Sequence, residues 1–135
     1  MIEGLSHITL IVKDIGRTSE IVTRVLGGRQ IYDSGDKTFS ISKERFFDIN
    51  GVWIALMEGD PLSSKTYNHI AFKTNEQSLP EYINKIKALG LEMKEPRPRQ
   101  PEEGQSLYFY DYDNHLFELH TGTLNQRLEF YNARH

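Results

Sequence analysis

Among its 135 residues the chain has no cysteine, and that absence removes disulfides, thiolate metal sites and a cysteine nucleophile together. Any metal held by side chains here must be held by imidazole nitrogen and carboxylate oxygen. Long apolar runs are also missing. The hydrophobic stretches fall far short of the roughly 20 residues that cross a bilayer, and Glu3 and His7 interrupt the N-terminal region where a signal sequence would place its apolar segment. A membrane association is therefore not expected, and a cytoplasmic location is. Nor is positive charge in excess: 16 Lys and Arg against 19 Asp and Glu give a net charge of −3 and a pI near 5.9, which argues against a nucleic-acid-binding surface. A small anionic ligand would need cations gathered locally. What remains, 38% hydrophobic and 26% charged residues, is the balance of a soluble globular chain long enough to bury a core without staples.

The residues that are present fall into a repeat. Residues 5–12 (LSHITLIV) predict a strand, Asp14 predicts the cap of a helix running to about Leu26, and Gly27-Gly28 predicts its end. Strands then fit residues 29–34, 38–48 and 51–58. The second half repeats the order with a strand at 67–74, a helix at 78–89 stopped by Gly90, and strands at 91–95, 106–111 and 115–120. The expected fold class is α+β, built from paired βαβββ modules. His7 and His69 stand 62 positions apart, as do Gly28 and Gly90, and the same shift carries Trp53–Met57 onto His115–Leu119. The expected organisation is one domain over residues 1–135. Its modules cover about 1–58 and 66–122, residues 59–66 join them, residues 95–104 form a Pro- and Arg-rich loop, and a short closing helix covers about 123–132.

Strand side chains alternate faces, so His7 shares one with Thr9 and Ile11, and His69 shares one with Tyr67 and Ala71. A lone histidine on an apolar face is more often a packed core residue than a ligand. Two histidines at equivalent points of equivalent strands, joined by Glu118 on the last strand, reverse that balance. At a constant shift the first-module counterpart of Glu118 is Leu56, so a fourth ligand is missing there. Two imidazoles and one carboxylate leave coordination positions open for substrate oxygens. His115, His120 and His135 lack this symmetry and are read as turn, rim and tail residues.

Three stretches, GLSHITLIVKD, YNHIAFK and EEGQSLYFYDYDNHLFELHTGTLNQRL, resemble the fosfomycin resistance proteins of the vicinal oxygen chelate superfamily, which have the glyoxalase, bleomycin resistance and dioxygenase fold. The RPR preceding the last stretch and the KERFF of the third strand are similar to the manganese-dependent, water-using FosX type. The resemblance implies that His7, His69 and Glu118 bind Mn²⁺ or another divalent ion. It further implies a homodimer with shared sites, in which one protomer's His7 meets its partner's His69 and Glu118. The implied substrate is fosfomycin, with water as co-substrate. Glu44, within KERFF, is implied as the base that activates the water, and it maps by the repeat onto Ser106, implied as a phosphonate ligand. Read without the resemblance, Glu44 between Lys43 and Arg45 is one charge on a solvated strand.

The same resemblance implies that Arg127 and either Arg97 or Arg99 bind the phosphonate, with Ser106 and Tyr108 completing the cradle. Thr9 and Tyr67 join the site by strand parity, and Trp53 is expected to close the apolar side around the substrate methyl group unless it is simply a core indole. Three rival readings carry different expectations. A thiol transferase would share the metal and phosphonate ligands and dispense with Glu44, whereas a drug-sequestering protein would need no ligand triad. A glyoxalase-like isomerase or dioxygenase fits poorly with Leu56 and the phosphonate-type residues.

Overall fold

The computed structural model describes residues 1–134; the tail reading of His135 lies outside the described residues. The chain forms two compact units, one of residues 1–64 with Tyr112–Asn114, the other of residues 65–111 and 115–134. Each unit carries one four-stranded mixed sheet. Among the described residues no helix is long and apolar enough to cross a membrane.

In the first unit, β1 (His7–Val12) lies parallel to β4 (Val52–Glu58), which pairs antiparallel with β3 (Glu44–Ile49) and through it with β2 (Arg29–Asp33). Between β1 and β2 runs α1 (Ile15–Glu20). Asp14 caps α1, its side chain accepting the Arg17 N–H at 3.0 Å, as the sequence predicts. Beyond Glu20 the helix widens into a π turn over Ile21–Val25. The hydroxyls of Ser19 and Thr23 donate to the carbonyls of Ile15 and Ser19 at 2.6 and 2.9 Å, competing with the backbone for the same acceptors. Ile21, Val22 and Val25 still point inward and pack with Val12, Phe47, Ile54 and Leu56 as the core of the unit.

The third strand is shorter than the sequence predicts, because residues 38–43 lie outside the ladder. Asp33 accepts the Gly35 N–H and Lys37 donates to the Ser34 carbonyl, so a turn carries the chain off the sheet. Phe39 and Ile41 alternate as in a strand yet remain exposed, with no ladder beside them. Ser34 then fastens the start of β3 twice, its N–H donating to the Glu44 carbonyl and its hydroxyl accepting the Glu44 N–H, each at 3.0 Å.

The second unit repeats the plan with β5 (His69–Lys73), α2 (Leu79–Ala88), β6 (Met93–Lys94), β7 (Ser106–Tyr110) and β8 (Leu116–His120) in the order β5-β8-β7-β6. Gly90, at φ +67°, ends α2 by donating to the Lys87 carbonyl while Leu91 donates to Ile86, the paired bonds of a left-handed helix stop. β6 shrinks to two residues. The run Pro96-Arg97-Pro98 removes two N–H donors and holds the chain extended off the sheet edge. The closing helix α3 (Leu124–Asn132) starts at a reciprocal Thr123–Gln126 cap.

The two ladders correct one feature of the repeat. His7 pairs with Trp53 but His69 pairs with Leu116; Phe46 pairs with Ala55 but Tyr108 pairs with Glu118. The shift is therefore 62 positions for β1 and β3 and one more for β4. Five residues separate the paired Tyr110 and Leu116 across the β7–β8 connection, against four between the equivalent paired Asp48 and Trp53 around the Asn50-Gly51 turn. The first-unit counterpart of Glu118 is thus Ala55, not Leu56, and Trp53–Met57 matches Leu116–His120. Leu56 is fully buried in the core behind the sheet. Alanine, like leucine, has no side-chain atom that can bind a metal.

Candidate active site

In the first unit, paired residues place His7, Thr9, Trp53, Ala55, Phe46 and Glu44 on one face of the sheet. Trp53 is 37% exposed, which rules out the core-indole reading. Its ring lies against His7 at 4.2 Å between centroids and meets the edge of Phe46 at 5.2 Å. The His7 Nδ1 is 2.9 Å from the Ser6 hydroxyl, which fixes the ring from one side and leaves Nε2 for another partner. Glu44 stands at the far end of this face, four rungs along the ladder from the His7–Trp53 pair. The residue is 9% exposed; a cleft of about 740 Å³ that touches it lies on the α1 side of the sheet, lined by Arg45, Asp33 and residues 14–18.

The corresponding face of the second unit holds His69, Glu118, His120, Ser106 and Tyr108. His69 Nδ1 lies 2.7 Å from the carbonyl of Tyr67, which can only accept, so Nδ1 carries the proton. The other nitrogen, Nε2, faces Glu118 Oε1 at 2.9 Å. A protonated ring donates Nε2–H to the carboxylate at that distance; a neutral ring and the carboxylate are two acceptors, and a cation then fits between them. Two donors about 2.1 Å from one divalent ion and at right angles to each other lie about 3.0 Å apart, so the pair fits two neighbouring ligands of such an ion. Among the described residues no group of three or more His, Asp or Glu side chains is gathered for a metal; this unit brings one histidine and one carboxylate together, and His7 belongs to the other unit.

Beside Glu118 lies a buried guanidinium. The side chain of Arg99 is 8% exposed, its Nη2 donating to the Tyr108 hydroxyl at 2.9 Å and approaching Glu118 Oε2 at 3.4 Å. Its Nε and Nη1 are buried without a hydrogen-bond partner. Unpaired buried N–H groups are costly, and the Arg99 residue also lines a depression of about 370 Å³ with Ser106 and Gly104. An anion bound at those groups would satisfy them. Arg97 is differently placed: it pairs with Glu103 at 3.0 Å and with the Tyr131 hydroxyl at 3.3 Å. Burial, then the Tyr67 hydroxyl at 3.1 Å, pushes the Tyr108 phenol up to about 12, so it keeps its proton and serves as a neutral hydrogen-bonding group.

Two residues of this region lie outside the sequence-predicted set. His120, read as a rim residue, is bonded through Nδ1 to the Ser106 hydroxyl at 2.7 Å, with Arg127 Nη2 at 3.4 Å from its Nε2. Burial lowers its pKa below that of an ordinary histidine. Strand alternation from Glu118 to His120 was the available signal. The other is Glu103, whose carboxylate accepts from the Gln100 N–H, Arg97 and Tyr131 and so ties the 95–104 loop to α3. Those donors, the Gln100 N–H first, hold its carboxyl below the usual range. A depressed folded-state pKa gives stability that is present above the unfolded value and lost as pH falls. Glu103→Gln is accordingly expected to melt a few degrees below the parent at neutral pH, with the gap closing as pH is lowered through the ordinary carboxylate range; thermal melts across pH 3–7 measure it, and a gap independent of pH contradicts it.

The sequence matches the Glyoxalase/Bleomycin resistance protein/Dioxygenase superfamily over residues 4–119. It is 58% identical over 131 residues to the fosfomycin resistance protein FosX of Listeria monocytogenes, covering 97% of this chain and 98% of that one. It is 32% identical over 135 residues to the metallothiol transferase FosB of Staphylococcus haemolyticus, covering 97% and 92% respectively. The fold superposes with a TM-score of 0.89 on a crystal structure of a glutamate-to-glutamine variant of the Listeria monocytogenes FosX, 56% identical and covering 97% of this chain and 99% of that one. That structure contains Mn(II) and 1S,2S-dihydroxypropylphosphonic acid. With two four-stranded sheets of this topology, a family match over residues 4–119 and this level of identity, the chain belongs to the FosX-type fosfomycin resistance proteins of the Glyoxalase/Bleomycin resistance protein/Dioxygenase superfamily.

Proposed function

We propose that this protein is a Mn(II)-dependent hydrolase that opens the epoxide of fosfomycin by adding water, and that it works as a homodimer. The observation that carries the reading is the adjacency, within one unit, of a His69–Glu118 pair spaced for a divalent ion and an Arg99 edge with two donors free for an anion. Fosfomycin presents both requirements side by side, a phosphonate next to an epoxide oxygen. His69 and Glu118 of one protomer, with His7 of its partner, would hold the ion. When bound, the ion acts as a Lewis acid on the epoxide oxygen.

The remaining work falls to this chain's own side chains. Arg99 takes the phosphonate through Nε and Nη1, and Tyr108 holds the guanidinium from the opposite edge. Arg127 adds positive charge near Ser106. Thr9 and Trp53, on the open face beside His7, bound the substrate's methyl side. Glu44, with no hydrogen bond to its carboxylate among the described residues, accepts a proton from water as the water oxygen attacks an epoxide carbon and the carbon–oxygen bond breaks. A proton from solvent completes the diol. The four rungs between Glu44 and the His7–Trp53 pair leave the substrate and one water room to lie between base and ligand.

The related FosX crystallised with dihydroxypropylphosphonic acid, which is fosfomycin plus one water. Likeness to a metallothiol transferase, at 32% identity, keeps thiol addition as the reading to be tested against. The test is to incubate the protein with Mn(II) and fosfomycin, with and without glutathione or bacillithiol, and to weigh the product. Gain of one water without thiol is expected, and chelation of the metal abolishes it. A product that forms only with thiol overturns water as the nucleophile.

A further inference from the structure

Ser106 has one hydroxyl hydrogen and two close partners, Glu118 Oε2 at 2.6 Å and His120 Nδ1 at 2.7 Å. A carboxylate only accepts, so the Ser106 proton goes to Glu118 and the bond from His120 must run the other way, from Nδ1–H to the serine oxygen. The opposite edge of the ring requires the same tautomer. Nε2 faces Arg127 Nη2 at 3.4 Å, and a guanidinium only donates. Donation thus runs in one direction, from Arg127 to His120 to Ser106 to Glu118. The ring also has room made for it: a Cβ at Gly122 would stand 2.8 Å from His120 Nε2 and displace it.

We propose that His120 is a positioning residue of this site: as its Nδ1–H tautomer it fixes Ser106 as a hydrogen-bond donor directed at Glu118. The inference rests on the function proposed above. In the other tautomer Ser106 would spend its hydrogen on His120 and turn a lone pair toward the carboxylate. Glu118 would then lose the partner that orients it as a ligand. Residues that orient metal ligands in this way carry about 10–100-fold of metal affinity or activity when removed.

Two variants separate positioning from packing. His120→Leu removes the donor and keeps the bulk. His120→Asn places an amide N–H where Nδ1–H stood. Expected for His120→Leu is a 10–100-fold weaker Mn(II) affinity by titration with electron paramagnetic resonance, with a KM for fosfomycin raised more than kcat is lowered. Expected for His120→Asn is recovery to within a few-fold of the parent on both measures. Nitrogen-15 NMR of the metal-free parent provides a readout independent of folding and of turnover, with Nδ1 protonated and Nε2 bare. An Nε2–H tautomer, unchanged Mn(II) affinity and KM in His120→Leu, or an asparagine variant as impaired as the leucine one, overturns the proposal. A parent protein that neither binds Mn(II) nor consumes fosfomycin defeats the functional reading instead, and the tautomer measurement still decides the direction of the hydrogen-bond chain.

Discussion

Replacing Glu44 by glutamine is expected to lower kcat for water addition by about 10²–10⁴-fold, the usual contribution of a positioned general base, while leaving Mn(II) affinity unchanged. Glutamine keeps the size of the side chain and its carbonyl oxygen but cannot take up a proton. Without the resemblance, the sequence context reads Glu44, between Lys43 and Arg45, as one charge on a solvated strand. In the structure both cations are occupied elsewhere. Lys43 lies 3.5 Å from Asp36, and Arg45 lies 3.2 Å from Asp33 with its Nη1 donating to the Ser19 hydroxyl at 3.0 Å. Arg45 in fact points to the opposite side of β3 from Glu44, as alternation requires. Glu44 is left largely buried, with its carboxylate uncommitted among the described residues. Steady-state kinetics with Mn(II) saturating, beside a metal titration, measure the effect. A kcat within a few-fold of the parent would show that the proton leaves the water by another route.

Much of this arrangement was legible in the sequence because strands have a period of two and helices have distinctive ends. Parity and the repeat singled out His7 and His69 as candidates, with Glu118 added from the last strand, and Asp14 and Gly90 marked the start of α1 and the end of α2. The failures share a physical cause. Assigning Leu56 as the counterpart of Glu118 assumed a constant shift, and a single residue added in the connection before β8 moves every later side chain to the opposite face. Residues 38–43 have the alternation of a strand, and alternation alone does not supply a neighbouring strand to pair with. His120 escaped notice because it has no histidine counterpart in the first unit, where Met57 occupies the equivalent rung. Hydrogen-bond direction, which gives His120 its meaning, becomes visible only when Ser106, Glu118 and Arg127 are seen around it.

The choice between Arg97 and Arg99, which the sequence left open, yields the other large expected effect. Arg99→Ala should reduce kcat/KM for fosfomycin by about 2–5 kcal/mol, the cost of truncating one partner of a buried charged hydrogen-bonded pair, or roughly 30- to 3,000-fold at 1.4 kcal/mol per decade. Arg97→Ala should change kcat/KM only a few-fold and lower the melting temperature instead, because its partners, Glu103 and Tyr131, fasten the loop to α3. Arg99→Lys provides the discriminating control. An ammonium retains the charge but cannot point two parallel N–H groups at a phosphonate while a third nitrogen remains on Tyr108. If Arg99 acted only as a positive charge beside Glu118, lysine would restore most of the activity. If it acts as a fork, lysine restores little, and the loss appears chiefly in KM. Competition by inorganic phosphate sharpens the test: an anion slot built from Arg99 is expected to be inhibited by phosphate in the parent and Arg97→Ala proteins, and to lose that inhibition in Arg99→Ala. Retained inhibition there would place the phosphonate on Arg127 and Ser106 without Arg99, and the two unpaired donors would need another explanation.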